Sequence, residues 1–185
     1  MPFLNAYKKT MENEGGYSKD PDDSGGETYR GITKKNFPDW EGWKIVDACQ
    51  PDNLEIIKND TLEGFVQSFY LKNFWNANKL DQIDLLIPEL AERMFDDAVN
   101  MGSIRACKFF QQALNLLNKN QQSYPDITVD GNIGPGSINT LKLSLKTNPS
   151  KRIVTVFTTL QGCFYIDLMT KNSTQEKFVG WFDRL

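Results

Sequence analysis

The stretch Glu12-Asn13-Glu14-Gly15-Gly16-Tyr17-Ser18-Lys19-Asp20-Pro21-Asp22-Asp23-Ser24-Gly25-Gly26-Glu27-Thr28-Tyr29-Arg30-Gly31-Ile32-Thr33 joins the end of an amphipathic segment to an acidic, glycine-rich loop. Upstream of the loop, Leu4, Tyr7, Met11 and Glu14 fall at helical spacing on one side of a short helix. Glu14 stands where that pattern asks for an apolar residue, and Gly15 and Gly16 supply the left-handed stop that ends a helix. A carboxylate in a last turn meets the negative end of the helix dipole, at a cost of roughly 0.3–1 kcal/mol. Partial burial and the dipole both disfavour the charged form, so both raise the pKa. An acid that keeps its proton near neutral pH is what glycosidic-bond cleavage requires at the leaving oxygen. The other reading of the same spacing is a frayed, solvated glutamate at a helix end.

A chain of 185 residues makes one compact domain, or a small domain fused to a smaller one. The net charge is only -3 with Lys and Arg scattered, so no basic face points to nucleic acid. Cys49, Cys107 and Cys163 are far apart and odd in number, which argues against a disulfide framework and for reduced thiols. Histidine is absent, which removes serine–histidine and cysteine–histidine catalysis and most zinc sites. Acid–base chemistry falls to carboxylates, lysines or tyrosines, and neither a cofactor nor a metal is expected. The opening Met-Pro-Phe-Leu-Asn lacks the regions of a secretory signal, and no later stretch reads as a membrane span. The expectation is a protein made in the cytoplasm, without direct membrane insertion, that reaches any outside substrate by another route.

The loop from Ser18 to Thr33 has too many glycines and acids to be helical, so a short hairpin or ordered loop is expected. Asp20, Asp22, Ser24 and Gly25 imitate the start of a calcium loop, but Gly31 stands where the closing glutamate belongs. Trp40 and Trp43 lie among turn residues and read first as a loop packed on the core, second as sugar platforms. From Asn53 onward the pattern is helical. Thr61 is a capping residue for a helix reaching about Trp75, with Leu62, Phe65, Val66, Phe69 and Tyr70 inward. Pro88 opens a helix with Leu90, Ala91, Met94, Phe95 and Ala98 as its stripe, and Gly102 ends it. Ser103 is placed to cap the next, which carries Cys107, Phe110, Ala113, Leu114 and Leu117. Residues 118–135 are polar and turn-rich, and are the best candidate for a boundary or exposed loop. Two more helices follow near 137–146 and 150–171, the second with Ile153, Phe157, Leu160, Phe164 and Leu168 on one side, and Phe178, Trp181 and Phe182 anchor the tail. The fold class is mainly α.

Glu14-Gly15-Gly16-Tyr17, then Asp20-Pro21, Gly25-Gly26, Thr28 and Arg30-Gly31-Ile32-Thr33, resembles the opening signature of glycoside hydrolase family 108. These are phage-type lysozymes or N-acetylmuramidases, some catalogued as secretion-activator proteins. The resemblance continues through Phe74-Trp75, Phe95-Asp96-Asp97-Ala98-Val99-Asn100-Met101-Gly102, Gln111-Gln112-Ala113-Leu114-Asn115 and Val129-Asp130-Gly131-Asn132-Ile133-Gly134, and closes at Gly180-Trp181-Phe182-Asp183-Arg184. It implies a lysozyme-like helical core over residues 1–100, with a packed, peptidoglycan-binding-like helical module over 101–185. It also implies cleavage of the β-1,4 bond between N-acetylmuramic acid and N-acetylglucosamine, with Glu14 in the position of the catalytic acid. Peptidoglycan strands are then the partner, and a holin or secretion system the route of export. Two departures from the family pattern are Ser24 before the glycine pair and Tyr29-Arg30 before Gly31-Ile32-Thr33, where asparagine often precedes the glycine.

By analogy with lysozymes that pair a helix glutamate with a loop aspartate and threonine, Asp20 or Asp23 and Thr28 are candidates for the remaining catalytic roles. Turn formation or capping is the alternative for each. Tyr17 and Tyr29 either pack on sugar rings or line the loop. Asp96 and Asn100 sit one turn apart and can share a partner, as a buried pair bracing the active-site loop or as substrate contacts. In Asp130-Gly131-Asn132-Ile133-Gly134 the turn role of Asp and Gly comes before ligand contact.

Overall fold

The first helix, α1 (Pro2–Met11), turns Phe3, Ala6, Tyr7, Thr10 and Met11 inward. The buried face starts at Phe3 rather than Leu4, which is half-buried, because Phe3 reaches Trp75 with ring centroids 5.8 Å apart. The computed structural model describes residues 2–11, 15–19, 26–52 and 55–185, in two compact units, Met1–Asn76 and Ala77–Leu185. The expected calcium-loop residues Asp20, Asp22, Ser24 and Gly25 lie outside the described residues. Among the described residues no cluster of acids or cysteines is arranged to hold a metal.

In the first unit a small antiparallel sheet follows α1: β1 (Tyr17–Ser18), β2 (Thr28–Tyr29) and β3 (Ile32–Thr33), in that order. Tyr17 pairs with Tyr29 and Ser18 with Thr28, while Thr28 pairs with Thr33 and Tyr29 with Ile32. The β2–β3 connection is Arg30-Gly31, with φ of 45° and 78°. Two left-handed residues in a row make the tight turn whose twist matches the flanking strands. Asparagine adopts the first position at little cost, whereas Arg30 must be held there.

Beyond the sheet, α2 (Trp43–Cys49) buries Trp43 and Val46. Trp43 donates to the Phe37 carbonyl at 2.8 Å, and Trp40 stacks near Tyr29 with centroids 6.3 Å apart. A Cβ on Gly42 would fall 2.3 Å from the Trp40 ring, so this loop closes only with glycine there. Both tryptophans therefore pack inward, as the first of the two sequence readings has it. α3 (Asp60–Tyr70) is capped by Asn59, whose side chain accepts from Leu62 N at 2.9 Å, and not by Thr61. Its last turns widen into a π-helical segment (Leu71–Asn76) that buries Trp75 and leaves Phe74 half-buried.

The second unit is helical: α4 (Leu80–Asp84), α5 (Pro88–Met101), α6 (Ser103–Leu116), α7 (Pro135–Ser144), α8 (Ser150–Lys171) and a 3-10 tail (Ser173–Arg184). Its core holds Phe95, Phe110 and Phe157, each fully buried, at roughly 1.5–3 kcal/mol apiece. Gly102, at φ 89°, separates α5 from α6. Ser103 does not cap α6; its hydroxyl accepts from Asn78 at 3.0 Å.

The stripe of α8 is Ile153, Phe157, Gln161, Tyr165 and Met169, while Leu160, Phe164 and Leu168 are only half-buried. Gln161 displaces the apolar pattern because it donates to buried Asp97 at 2.5 Å. α8 has 22 residues and an 18-residue window of mean hydropathy 1.3, so by length and composition it is long and apolar enough to cross a membrane, which corrects the sequence expectation of no such stretch. In this fold it packs against α5 and α6. Residues 118–135 belong to the second unit and are laced to α6. Asn115 brackets Ile127 through bonds of 2.8 and 2.9 Å to its carbonyl and N–H, and Asn118 donates to Asp126 at 2.6 Å.

Candidate active site

Three of the catalytic candidates, Glu14, Asp20 and Asp23, lie outside the described residues. The described flanks of that segment are α1 and the sheet, and one carboxylate joins them. Glu63, on the first turn of α3, accepts from Tyr7 of α1 at 2.9 Å, from Arg30 of the hairpin turn at 2.9 Å, and from Gln67 at 3.0 Å. Tyr70 donates to the Arg30 carbonyl at 2.7 Å, so the left-handed residue is held at both ends. Burial pushes the Tyr7 phenol well above its ordinary value; Arg30 opposes and the Glu63 acceptor adds to it. Tyr7 is therefore a fixed donor at any working pH.

Thr28 is half-buried at the sheet, and its hydroxyl donates to the Gly26 carbonyl at 3.2 Å. Its opposite neighbour across the hairpin is Thr33. Tyr17 is half-buried and donates to Glu27 at 3.0 Å. Tyr29 is only 2% exposed and its hydroxyl accepts from Ile57 N at 3.2 Å, so its ring belongs to the core and offers no face to a sugar.

Next to the sheet is a groove of about 430 Å³, lined among others by Tyr17, Lys19, Glu27, Lys34, Asp47 and Gln50. Lys34 bridges two carboxylates, Glu27 at 3.1 Å and Asp47 at 2.5 Å. Burial works to lower the Lys34 pKa, but the hydrogen bonds to Asp47 and Glu27 outweigh it and the net shift is upward. Burial raises the Tyr17 phenol, and its bond to Glu27 adds to the rise. The groove thus presents the paired charges of Glu27, Lys34 and Asp47 together with the Lys19 ammonium, an amide and a phenol, a lining rich in hydrogen-bond donors and acceptors.

Sequence reasoning passed over this group. Glu27 and Lys34 had a signal: once Arg30-Gly31 is read as a two-residue turn, 27 and 34 become the next opposed pair after Thr28 and Thr33. The backbone bond from Lys34 N to Glu27 O, 2.7 Å, extends that ladder. Asp47 comes from α2 and had none.

Asp96 and Asn100, in the second unit, do not form a buried pair. Asn100 is exposed and donates to the Asp96 backbone carbonyl at 2.8 Å, while the Asp96 carboxylate takes Arg184 at 3.3 Å. The buried acid is the neighbour, Asp97, whose pKa is pushed up to about 8 by burial, with Asp96 adding and Arg93 and Arg184 opposing. The Asp130 turn is structural. Gln111 of α6 donates to Asp130 at 2.8 Å and to the Asn132 carbonyl at 3.1 Å, and accepts from Gly131 N at 2.8 Å.

Two family models match successive parts of the chain. The model of the family described as glycosyl hydrolase 108 matches residues 7–102, a range that includes Glu14-Gly15-Gly16-Tyr17. A second model, described as a predicted peptidoglycan domain, matches residues 105–185. The first match runs past the compact unit that ends at Asn76 and takes in α4 and α5. No curated protein matches the chain. Among solved structures the chain is similar to Brucella abortus SagA, with 22% identity, a TM-score of 0.58, and coverage of 98% of this chain and 92% of that one. At that identity the likeness is one of fold. The first family model covers more than half of the 185 residues, and the chain belongs to the glycosyl hydrolase 108 family.

Proposed function

We propose that this protein is a peptidoglycan hydrolase that cuts the β-1,4 bond between N-acetylmuramic acid and N-acetylglucosamine, with Glu14 as general acid. The observation that carries the reading is the family match over residues 7–102, which takes in Glu14-Gly15-Gly16-Tyr17. In sequence, position 14 comes three residues after buried Met11 and seven after buried Tyr7, the helical spacing of one face, and burial on such a face raises a carboxyl pKa. In this reading Glu14 protonates the glycosidic oxygen as the bond breaks, leaving an oxocarbenium-like sugar. Asp20 or Asp23 stabilises that cation or orients water, and Thr28 positions the water. A carboxyl separation of about 5 Å gives retention, and a gap of roughly 6.5–9.5 Å gives inversion. Tyr17 contacts the glycan from the groove. Residues 1–100 act as the catalytic core and 101–185 hold the wall, with Asp96 and Asn100 as contacts near the junction. A holin-like pore or secretion partner gives access to the wall.

The match of residues 105–185 to a peptidoglycan domain supports a second reading, a wall-binding or secretion-assisting module without chemistry. Turbidity clearing of purified cell walls separates the two. The native chain is expected to lyse them and Glu14→Gln to bind without lysis while remaining folded. Equal lysis by that variant removes Glu14 from the mechanism, and no lysis by the native chain favours the binding module. Mass spectrometry of the products distinguishes a muramic acid reducing end from a glucosamine one.

A further inference from the structure

In the second unit, a cavity of about 160 Å³ is lined among others by Asn100, Arg105, Phe164, Tyr165, Trp181 and Arg184. An engineered cavity of about 150 Å³ holds benzene, so this one admits a group of about six heavy atoms. Tyr165 sits 5.4 Å from Trp181 and 6.1 Å from Phe164, so three rings form a continuous apolar wall. The two guanidiniums differ in kind. Arg184 is neutralised by Asp96, 3.3 Å from each carboxylate oxygen. The central carbon of the Arg105 guanidinium stands over Phe164, 4.3 Å from the ring centroid. Among the described residues it forms no ion pair, and its hydrogen bond to the Met101 carbonyl is long at 3.4 Å. A guanidinium held over a ring by cation–π attraction keeps N–H donors to spare, and its fork of donors matches a carboxylate.

We propose that this cavity is a carboxylate subsite for the free C-terminus of a short peptide ending in an alanine-sized residue. Its carboxylate pairs with Arg105 and its methyl group lies against Trp181 and Phe164. The proposal rests on peptidoglycan being the partner of this chain, and it assigns the second unit to the peptide stems rather than to the sugar strand. A neutral sugar ring would leave Arg105 unpaired and exceeds the six-atom volume. A polyanion would meet Asp96 as well as the cation.

The test is a titration of the full chain followed by the indole N–H signals in a nitrogen-15 NMR spectrum, with Trp181→Phe used for assignment. The probes are N-acetyl-D-alanyl-D-alanine, its C-terminal amide, and inorganic phosphate. The acid is expected to shift the Trp181 signal saturably, and the amide to bind about tenfold or more weakly, the value of one charge-assisted pair. Arg105→Gln should reduce the acid to the level of the amide, and Arg105→Lys should recover part of the loss. Three results overturn the proposal: equal binding of acid and amide, no saturable shift at Trp181, or phosphate binding as tightly as the acid. Should Arg105→Gln unfold, Arg105→Met, which keeps the stem and removes the charge, carries the same comparison, and unchanged selectivity for acid over amide in it again refutes the role. The titration needs no glycan cleavage. A chain that binds the dipeptide but leaves walls intact refutes the Glu14 mechanism and keeps the subsite; one that lyses walls but ignores the dipeptide does the reverse.

Discussion

Arg30 Nη1 stands 2.9 Å from Glu63 Oε2, and through this contact α3 grips the tip of the hairpin. The other oxygen of the same carboxylate takes Tyr7 from α1 at 2.9 Å. Glu63 thus fixes the two elements that precede and follow residues 12–25, the segment that contains Glu14, Asp20 and Asp23. The Arg30 side chain is 13% exposed and that of Glu63 36%, so the pair is partly screened. Glu63→Ala should cost about 2 kcal/mol, between the values of exposed and buried pairs. Glu63→Gln keeps an acceptor for Tyr7 and should cost about half as much. Urea unfolding measures both. Wall lysis by the folded Glu63→Ala protein should fall on the order of ten- to a hundredfold, the sensitivity of catalysis to small misplacements. Full lysis in a destabilised variant would reduce Glu63 to a scaffold residue.

A second consequence concerns pH. Asp97 is 1% exposed, and burial, aided by Asp96, raises its pKa to about 8. In the unfolded chain it titrates near 4, so between these values the folded state binds a proton that the unfolded state has lost. Stability must therefore fall as pH rises from about 4 to about 8, by on the order of a few kcal/mol. Asp97→Asn keeps the acceptor for Gln161 and is neutral throughout. It should flatten the dependence of the urea midpoint on pH between 5 and 8 and be the more stable protein at pH 8. A slope unchanged by the substitution would show that another group sets it.

The cysteines divide by the same physics. Cys107 is buried, donates to Asn78 Oδ1 at 3.4 Å, and has its thiol pushed up to about 12 by burial, with Asp130 adding to the rise. Cys49 and Cys163 are exposed. A thiol-exchange reagent at pH 8 should consume two thiols of the native protein quickly and the third only in denaturant, because the thiolate is the reactive form. Three equal rates would mean that α6 opens far more often than its packing implies.

The helices were legible because their signals are local. The Ser150–Lys171 limits match the sequence reading although no side chain caps the start of α8, and the stripe of α5 follows from its spacing. Polar residues that serve a distant partner were not legible. Gln161 breaks the apolar period of α8 because Asp97, 64 residues away, needs a donor. In the same way, Asp96 and Asn100 share a helix face by spacing, yet the tail residue Arg184 takes the Asp96 carboxylate. Tyr29 reads equally as a sugar platform or a loop residue until Trp40 and the Ile57 N–H close around it. The hairpin was foreseen as an element, but the group Glu27–Lys34–Asp47 required its register as well as the approach of α2.

The Gln111–Gly131 contact gives the last prediction. Gly131 has φ 85°, and a Cβ there would lie 2.9 Å from the Ile104 carbonyl oxygen. Gly131→Ala therefore combines a left-handed alanine with a collision against backbone that cannot step aside, and should cost about 2–4 kcal/mol. Gln111→Leu keeps the volume but strips the partner from the buried Gly131 N–H, a penalty of about 1–3 kcal/mol, and from the Asn132 carbonyl, whose residue is exposed and can turn to water. It also removes the main cause of the lowered Asp130 pKa, the hydrogen bond from Gln111, leaving the Asn132 N–H as the next. A depressed carboxylate stabilises the fold above its unfolded pKa, and that contribution disappears as pH falls through the folded value. In Gln111→Leu the Asp130 titration followed by carbon-13 NMR should move up toward the ordinary aspartate range. If it does not move, the backbone N–H alone holds the charge, and Gln111 acts only on the turn's own amide and carbonyl.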